Sequence, residues 1–389
     1  MSNQIKSIIN SFYQNKLHIT PDNINILKSF ILTLDKANTS WFNNIKNVSI
    51  KLINNFKYNV LLPEHITNEL RLNKHKTYSV SFKLFNHSFN IQFILFHNQT
   101  SIKSKLLNMI KHIYKILYFL LTIKTKKCSL VYNINIYLHN SLKLFPKNKK
   151  NELTNYNINT AFTWSCNNSL HNEMNIYRQE EWFKVFIHEC FHMFGLDFSY
   201  LPNLNIYNNI LSRLFNTNID FKFFESYTET WAIILNSLYI AYNTSYKVKS
   251  IHNWNINIIK KFLTIIQQER YFSLFQTCKI LKYSNISLTN NINNINYTEN
   301  TPIFSYFILK SMLLFNINQF LEWCSINNTN YLQFNTKNIN SLYQLIPLLY
   351  NNKLFITSIK QINSYLNENN NYNNYNFNNL RFSINELYL

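Results

Sequence analysis

Residues 180–198 read EEWFKVFIHECFHMFGLDF. Trp182, Phe183, Val185, Phe186, Ile187, Phe191 and Phe194 make the run strongly apolar, and no proline interrupts it. The pattern predicts a helix from about Arg178 to Phe194, closed by Gly195. Gly195 is the single glycine of the chain. Three residues past His192, it can end the helix in the left-handed conformation that other residues avoid. Inside the helix stands His188-Glu189-Cys190-Phe191-His192. Positions i and i+4 share a helix face, so both imidazoles reach one metal ion. Glu189 lies about 100° round from His188. From there it meets a water on the metal, not the metal itself. Zinc lowers the pKa of bound water to roughly 7, and a carboxylate beside it takes the proton. With 11 histidines in the chain, chance places such a motif in about one chain in a hundred. Charged groups in so apolar a helix are costly unless paired or metal-bound.

A catalytic zinc takes three protein ligands and keeps one position open. Position 198, where a third histidine of the HExxHxxGxxH pattern would fall, is Phe198. Asp197 is carried off by the turn at Gly195. The better candidate lies in FFESYTETWAIILNSLYIAY, residues 223–242, where Glu225 and Glu229 stand one helical turn apart in an apolar segment. In the preferred assignment Glu225 binds zinc, and Glu229 accepts a hydrogen bond from the far nitrogen of a ligand histidine. The reverse assignment satisfies the same spacing.

The composition is skewed. Asparagine occurs 69 times, alanine four times and glycine once. Residues with AT-rich codons are over-used, which points to a genome of low GC content. The net charge is +20. It would ordinarily direct attention to nucleic acid, but the lysines are spread along the chain and codon bias supplies them. A weak, salt-sensitive attraction to polyanions follows with or without a function. The five cysteines, Cys128, Cys166, Cys190, Cys278 and Cys324, are odd in number and form no CxxC pair. The expectation is no disulfide framework and a reducing compartment. Met1 to Lys16 lacks the apolar run of a leader, and the most lipophilic stretch, residues 116–123, is too short to span a bilayer. A soluble, intracellular protein with no membrane partner is expected.

Along the chain, periodicity predicts helices over 101–124, 221–242, 254–283, 302–324 and 338–364, and strands over 130–140 and 156–165. Residues 284–300 and 363–379 are asparagine-rich and read as loops or linkers. The expected organisation is an N-terminal region, 1–125, of unassigned role; a domain over 126–365, with sheet and HExxH helix in 126–200 and a helical lobe in 201–365; and a tail, 366–389. The fold class is α+β: a small twisted sheet, the HExxH helix and a mostly helical lobe, with zinc in the cleft between them.

HExxH followed some tens of residues later by a helical ExxxD or ExxxE resembles the gluzincins, the thermolysin-like zinc metallopeptidases. The gap from His192 to Glu225 is 33 positions, and Glu229 stands where aspartate is usual. The longer string NTAFT…YRQEEWFKVFIHECFHMFGLDF…FFESYTETWA, with TPIFSYFILKS downstream, is similar to uncharacterised metallopeptidases of large DNA viruses of protists, over roughly residues 130–323. The resemblance implies a zincin-like fold, one Zn2+ per chain, a peptide or protein substrate, and Glu189 as the general base. For a viral source, it implies the host cytoplasm, virus factory or virion. It implies a substrate-binding edge strand at Asn159, Ala161 and Phe162, with Thr160 inserted relative to the family's Asn-Ala-aromatic segment. It also implies a tyrosine or histidine as oxyanion donor, for which Tyr306, Tyr227 and His252 are available. Two other readings compete: a catalytically silent protein of the same fold with a structural role in a virion, and a basic nucleic-acid-binding protein.

Overall fold

The structure, a computed structural model of the 389-residue chain, describes residues 3–14, 17–44, 48–54, 56–72, 75–96, 102–148, 150–167, 169, 171–245, 254–288, 294–369 and 375–387. In chain order the elements are α1 (Asn3–Ser11), α2 (Pro21–Asn44), β1 (Lys51–Ile53), α3 (Glu64–Arg71), β2 (Lys76–Leu84), β3 (His87–Leu95), α4 (Ile102–Ile123), β4 (Val131–His139), α5 (Asn155–Ile158), β5 (Ala161–Thr163), β6 (His171–Arg178) and α6 (Trp182–Met193). There follow α7 (Asn208–Phe215), α8 (Phe223–Ser245), α9 (Trp254–Tyr283), a π-helical turn (Phe304–Leu309), α10 (Lys310–Phe315), α11 (Ile317–Asn327), α12 (Ile339–Tyr350), α13 (Lys353–Glu368) and α14 (Tyr375–Asn378). Helices and a six-stranded sheet together agree with the α+β expectation. Residues 28–142, 159–196 and 387–389 form one compact unit, and residues 1–27, 143–158 and 197–386 a second.

The first unit is built on the sheet, in the order β1-β2-β3-β4-β6-β5. β3, β4 and β6 run parallel, while β1, β2 and β5 are antiparallel to their neighbours. Three of the six strands come from residues 51–95, so the boundary expected at residue 125 falls inside one sheet. Period-2 alternation sets its two faces. Phe89, Ile91 and Phe93 on β3, Tyr132, Ile134 and Ile136 on β4, and Met174 and Ile176 on β6 are buried on one side. Phe82 of β2 meets Tyr114 of α4 on this side, His112 of α4 meets Phe183 of α6, and Tyr132 meets Phe194. The opposite face is polar. Asn90 donates to Asn133, and Asn59, Asn135 and Asn175 all donate to one oxygen of Glu173. At its far end α3 covers this face, with Ile66 and Leu70 packed on Ile94, Phe96, Tyr137 and Tyr177. Helix α4 has the length and composition of a membrane span, yet 67% of its most apolar window is buried in protein.

The second unit is helical. α8 and α9 pack together, and α10 packs on both. Its core includes Phe145, Ile158, Ile280, Phe307, Leu380 and Phe382. Helix ends depart from the sequence expectation where asparagine breaks a run. The helix expected over 302–324 is a π-turn, α10 and α11, broken at Asn316. The one expected over 338–364 divides at Asn351 and Asn352. The Asn352 side chain accepts the backbone N–H groups of Leu354 and Phe355 (2.9 and 3.3 Å), which starts α13 afresh. Of the linker expected over 363–379, residues to Glu368 continue α13 and Tyr375–Asn378 form α14. Beyond it Leu380, Phe382 and Ile384 are buried, and the carboxylate of Glu269 on α9 accepts from Ser383 Oγ (2.8 Å), Ile384 N (3.1 Å) and Asn385 N (2.9 Å).

Candidate metal centre

The chain reaches the HExxH helix through β6, a strand the sequence reading missed. The sequence pattern leaves residues 171–177 unassigned and begins the helix at about Arg178. Met174 and Ile176 point to the core and Glu173 and Asn175 away from it, an alternation visible in HNEMNIYR. Arg178 therefore ends a strand and does not begin the helix. The turn after it is pinned by Gln179 N–H donating to His139 O (2.8 Å). Glu181 then takes a left-handed backbone (φ 59°) as the N-cap of α6. Every side chain of α6 is buried, as an all-round apolar helix requires.

The far end of α6 matches its expectation. Gly195 has φ 61°. Its N–H donates to His192 O (3.1 Å), and the Leu196 N–H donates to Phe191 O (2.9 Å). These are the paired 5→2 and 6→1 bonds of a Schellman end. Past this turn, Asp197 accepts from Ser199 Oγ (3.0 Å) and from Thr228 Oγ1 of α8 (3.2 Å).

His188, Glu189 and His192 are 6, 7 and 7% exposed. The two Nε2 atoms stand 3.1 Å apart, with the rings at 76°. Glu225 occupies the first turn of α8. Its neighbour Ser226 donates to Ser305 O in the π-turn (2.8 Å), and Thr277 of α9 donates to Phe307 O (2.8 Å), so hydroxyls take up carbonyls that the wide turn leaves. Glu229, one turn on, is 1% exposed.

The donor set fits zinc. Two imidazole nitrogens and a carboxylate are the set of a catalytic site with one open position. Nitrogens bound at 2.0–2.1 Å to a tetrahedral ion stand about 3.3 Å apart, close to the 3.1 Å found here. Burial first, then the Glu189 charge, pushes the Cys190 thiol well up, so this cysteine is no nucleophile. Burial also raises the Tyr177 phenol, which Arg178 opposes and Glu189 reinforces.

Other expected residues are placed as follows. β5 is the edge strand, with Ala161 opposite Ile176 and Phe162 opposite Asn175. The strand expected over 156–165 shortens to these three residues, because Asn155–Ile158 is helical, and Asn159 precedes it. Tyr306 stacks on Phe382 (5.2 Å) against the core of the second unit. The Tyr227 hydroxyl donates to Leu332 O (3.0 Å) and accepts from Asn328 Nδ2 (2.7 Å) in the helical core. His252 lies outside the described residues. The cysteine expectation is corrected. Cys128 and Cys166 form a disulfide across 38 residues, their Cα atoms 5.2 Å apart. Cys190, Cys278 and Cys324 are free and buried.

Comparison with known proteins gives one informative likeness. Over 191 residues the chain is 28% identical to a protein named "Uncharacterized protein R210" of Acanthamoeba polyphaga mimivirus. The match takes in 47% of this chain and 44% of the relative, so the chain spans less than half the length of the curated relative it matches. The likeness to a viral protein is thus shown. No family model matches, and no solved structure matches.

Proposed function

We propose that this protein is a zinc-dependent endopeptidase of the zincin type. The observation that carries the reading is the pair of buried imidazoles of His188 and His192, their Nε2 atoms 3.1 Å apart, with the buried Glu189 between them on α6. His188, His192 and Glu225 would hold the ion. When bound, zinc would supply Lewis acidity and bring water to a pKa of about 7. Glu189, on the turn between the two histidines, takes the proton from the attacking water and returns it to the departing amine. Glu229 orients a ligand imidazole through the nitrogen that faces away from the ion. The β5 edge offers backbone groups to an extended peptide, which would add to the sheet as a further strand, with Asn159, Ala161 and Phe162 lining it. Tyr306 is the proposed oxyanion donor, by family likeness only.

The test is metal content of the purified chain, wild type beside Glu225→Ala, Glu229→Ala and Glu189→Gln, with a peptide library as substrate. The expected result is about one zinc per chain, lost in Glu225→Ala and largely kept in Glu229→Ala. Glu189→Gln should keep the zinc while turnover falls by about 10²–10⁴-fold. Zinc lost with Glu229→Ala and kept with Glu225→Ala would exchange the two roles. A wild type without zinc would end the proposal.

A further inference from the structure

His192, the second histidine of the motif, is the next-to-last residue of α6, and that helix end is held from outside α6. His192 O accepts two N–H groups, from Gly195 (3.1 Å) and from Cys166 (2.8 Å). Cys166 is the half of the Cys128–Cys166 disulfide that touches the helix. A Cβ placed on Gly195 would meet Cys166 Cβ at 2.8 Å, Lys126 Cδ at 3.0 Å and Cys166 Sγ at 3.2 Å. Lys124 Nζ lies over the Phe194 ring (5.6 Å). Two chain segments, 124–128 after α4 and 164–166 after β5, therefore close on the last turn of α6. The disulfide is their covalent link. Both of its cysteines are partly exposed, while Cys190, Cys278 and Cys324 are buried. A reductant in solution meets this pair and not the other three.

We propose that the Cys128–Cys166 disulfide is a redox-sensitive clamp that holds the HExxH helix in its metal-binding form. The consequence for metal rests on the zinc reading above, whereas the clamp itself rests only on contacts around α6. The chemistry is a two-electron exchange with a dithiol reductant. One thiolate of the reductant attacks a sulfur of the pair, and the other cysteine leaves as thiolate. The second thiol of the reductant then resolves the mixed disulfide, departing as an oxidised disulfide. Cys128 and Cys166 end as thiols. Unbonded sulfurs cannot stay at bonding distance, so the two segments part. Gly195 has no slack on the Cys166 side, and the Cys166 N–H on His192 O moves with the loop. The oxidised protein binds zinc tightly, and the reduced protein binds it less well.

The experiment uses the full chain, oxidised, or reduced with a phosphine and desalted, beside the Cys128→Ser/Cys166→Ser variant. Zinc affinity is read by competition with a chromophoric chelator. Thiols are counted with and without denaturant, and hydrogen exchange is followed over residues 188–196. Native thiol counts should be zero oxidised and two reduced, rising to three and five in denaturant, because three cysteines are buried and free. Zinc affinity should fall about 10–100-fold on reduction and in the double variant, the range seen when groups supporting a metal ligand are lost. Exchange at the end of α6 should quicken in both while the strands stay protected. Two native thiols in air-oxidised protein would overturn the proposal, as would equal zinc affinity and equal exchange in the two redox states. If no form binds zinc, the metal reading fails. The clamp is then decided by exchange alone: faster exchange on reduction upholds it, and no change overturns it.

Discussion

At the scale of single residues, Gly195 shows how one position serves three demands. It must take φ 61°, it must close α6 by donating to His192 O three residues back, and it must leave room for Cys166. A substitution fails on the first and third together. Gly195→Ala should cost about 1–2 kcal/mol for the left-handed backbone alone, and more because its Cβ would lie 2.8 Å from Cys166 Cβ. Denaturant unfolding of the two proteins under oxidising conditions measures this. A loss under about 0.5 kcal/mol would mean that the helix end relaxes freely. Glycine was legible here because it is the only one in the chain. The disulfide beside it was not. Two cysteines 38 residues apart carry no pairing signal until a sheet brings their segments together.

At the scale of elements, helix ends and buried carboxylates decide the second unit. Glu269 on α9 is fully buried and accepts from Ser383, Ile384 and Asn385. Burial raises its pKa and these donors oppose the rise. Glu269→Ala would strand the donors, so a loss of about 3 kcal/mol is expected, with earlier proteolysis near residue 384. Glu269→Gln, which keeps one carbonyl acceptor, should lose less. Equal stability of both variants with wild type would show that the C-terminal segment docks through its apolar side chains alone. Ahead of the π-turn, Glu299 Oε2 accepts from Phe304 N and Tyr297 Oη, both at 2.9 Å. Burial lifts its pKa from 4.5 to about 7, the two donors opposing and Asp220 adding to the rise. Its folded pKa thus exceeds its unfolded value. The contribution to stability is present below about pH 4.5 and is lost as pH rises through about 7. Urea midpoints of wild type and Glu299→Gln between pH 4.5 and 8 should diverge with rising pH, by up to about 2 kcal/mol in favour of the variant. Parallel curves would assign the titration elsewhere.

At the scale of the whole molecule, a bound ion should show in global stability. A ligand that binds only the folded state raises stability by RT ln(1 + [L]/Kd), about 4 kcal/mol at a thousandfold excess over Kd. A chelator should therefore lower the thermal midpoint of wild type by several degrees and leave Glu225→Ala unmoved. An unmoved wild type would place no ion in the folded protein. What the sequence determined by itself was local: the HExxH face, its apolar helix, the glycine that ends it, the glutamate pair one turn apart, and helices 102–123 and 254–283. Those rest on periodicity and on one-residue conformational limits, which act within a few residues. Only the tertiary structure decided that residues 51–95 share a sheet with 131–178, that Tyr227 is tied into the helical core, and that Cys128 meets Cys166. Each of these is a contact between segments far apart in the chain. Burial and sheet register set such contacts, and neither leaves a mark on the spacing of any one segment.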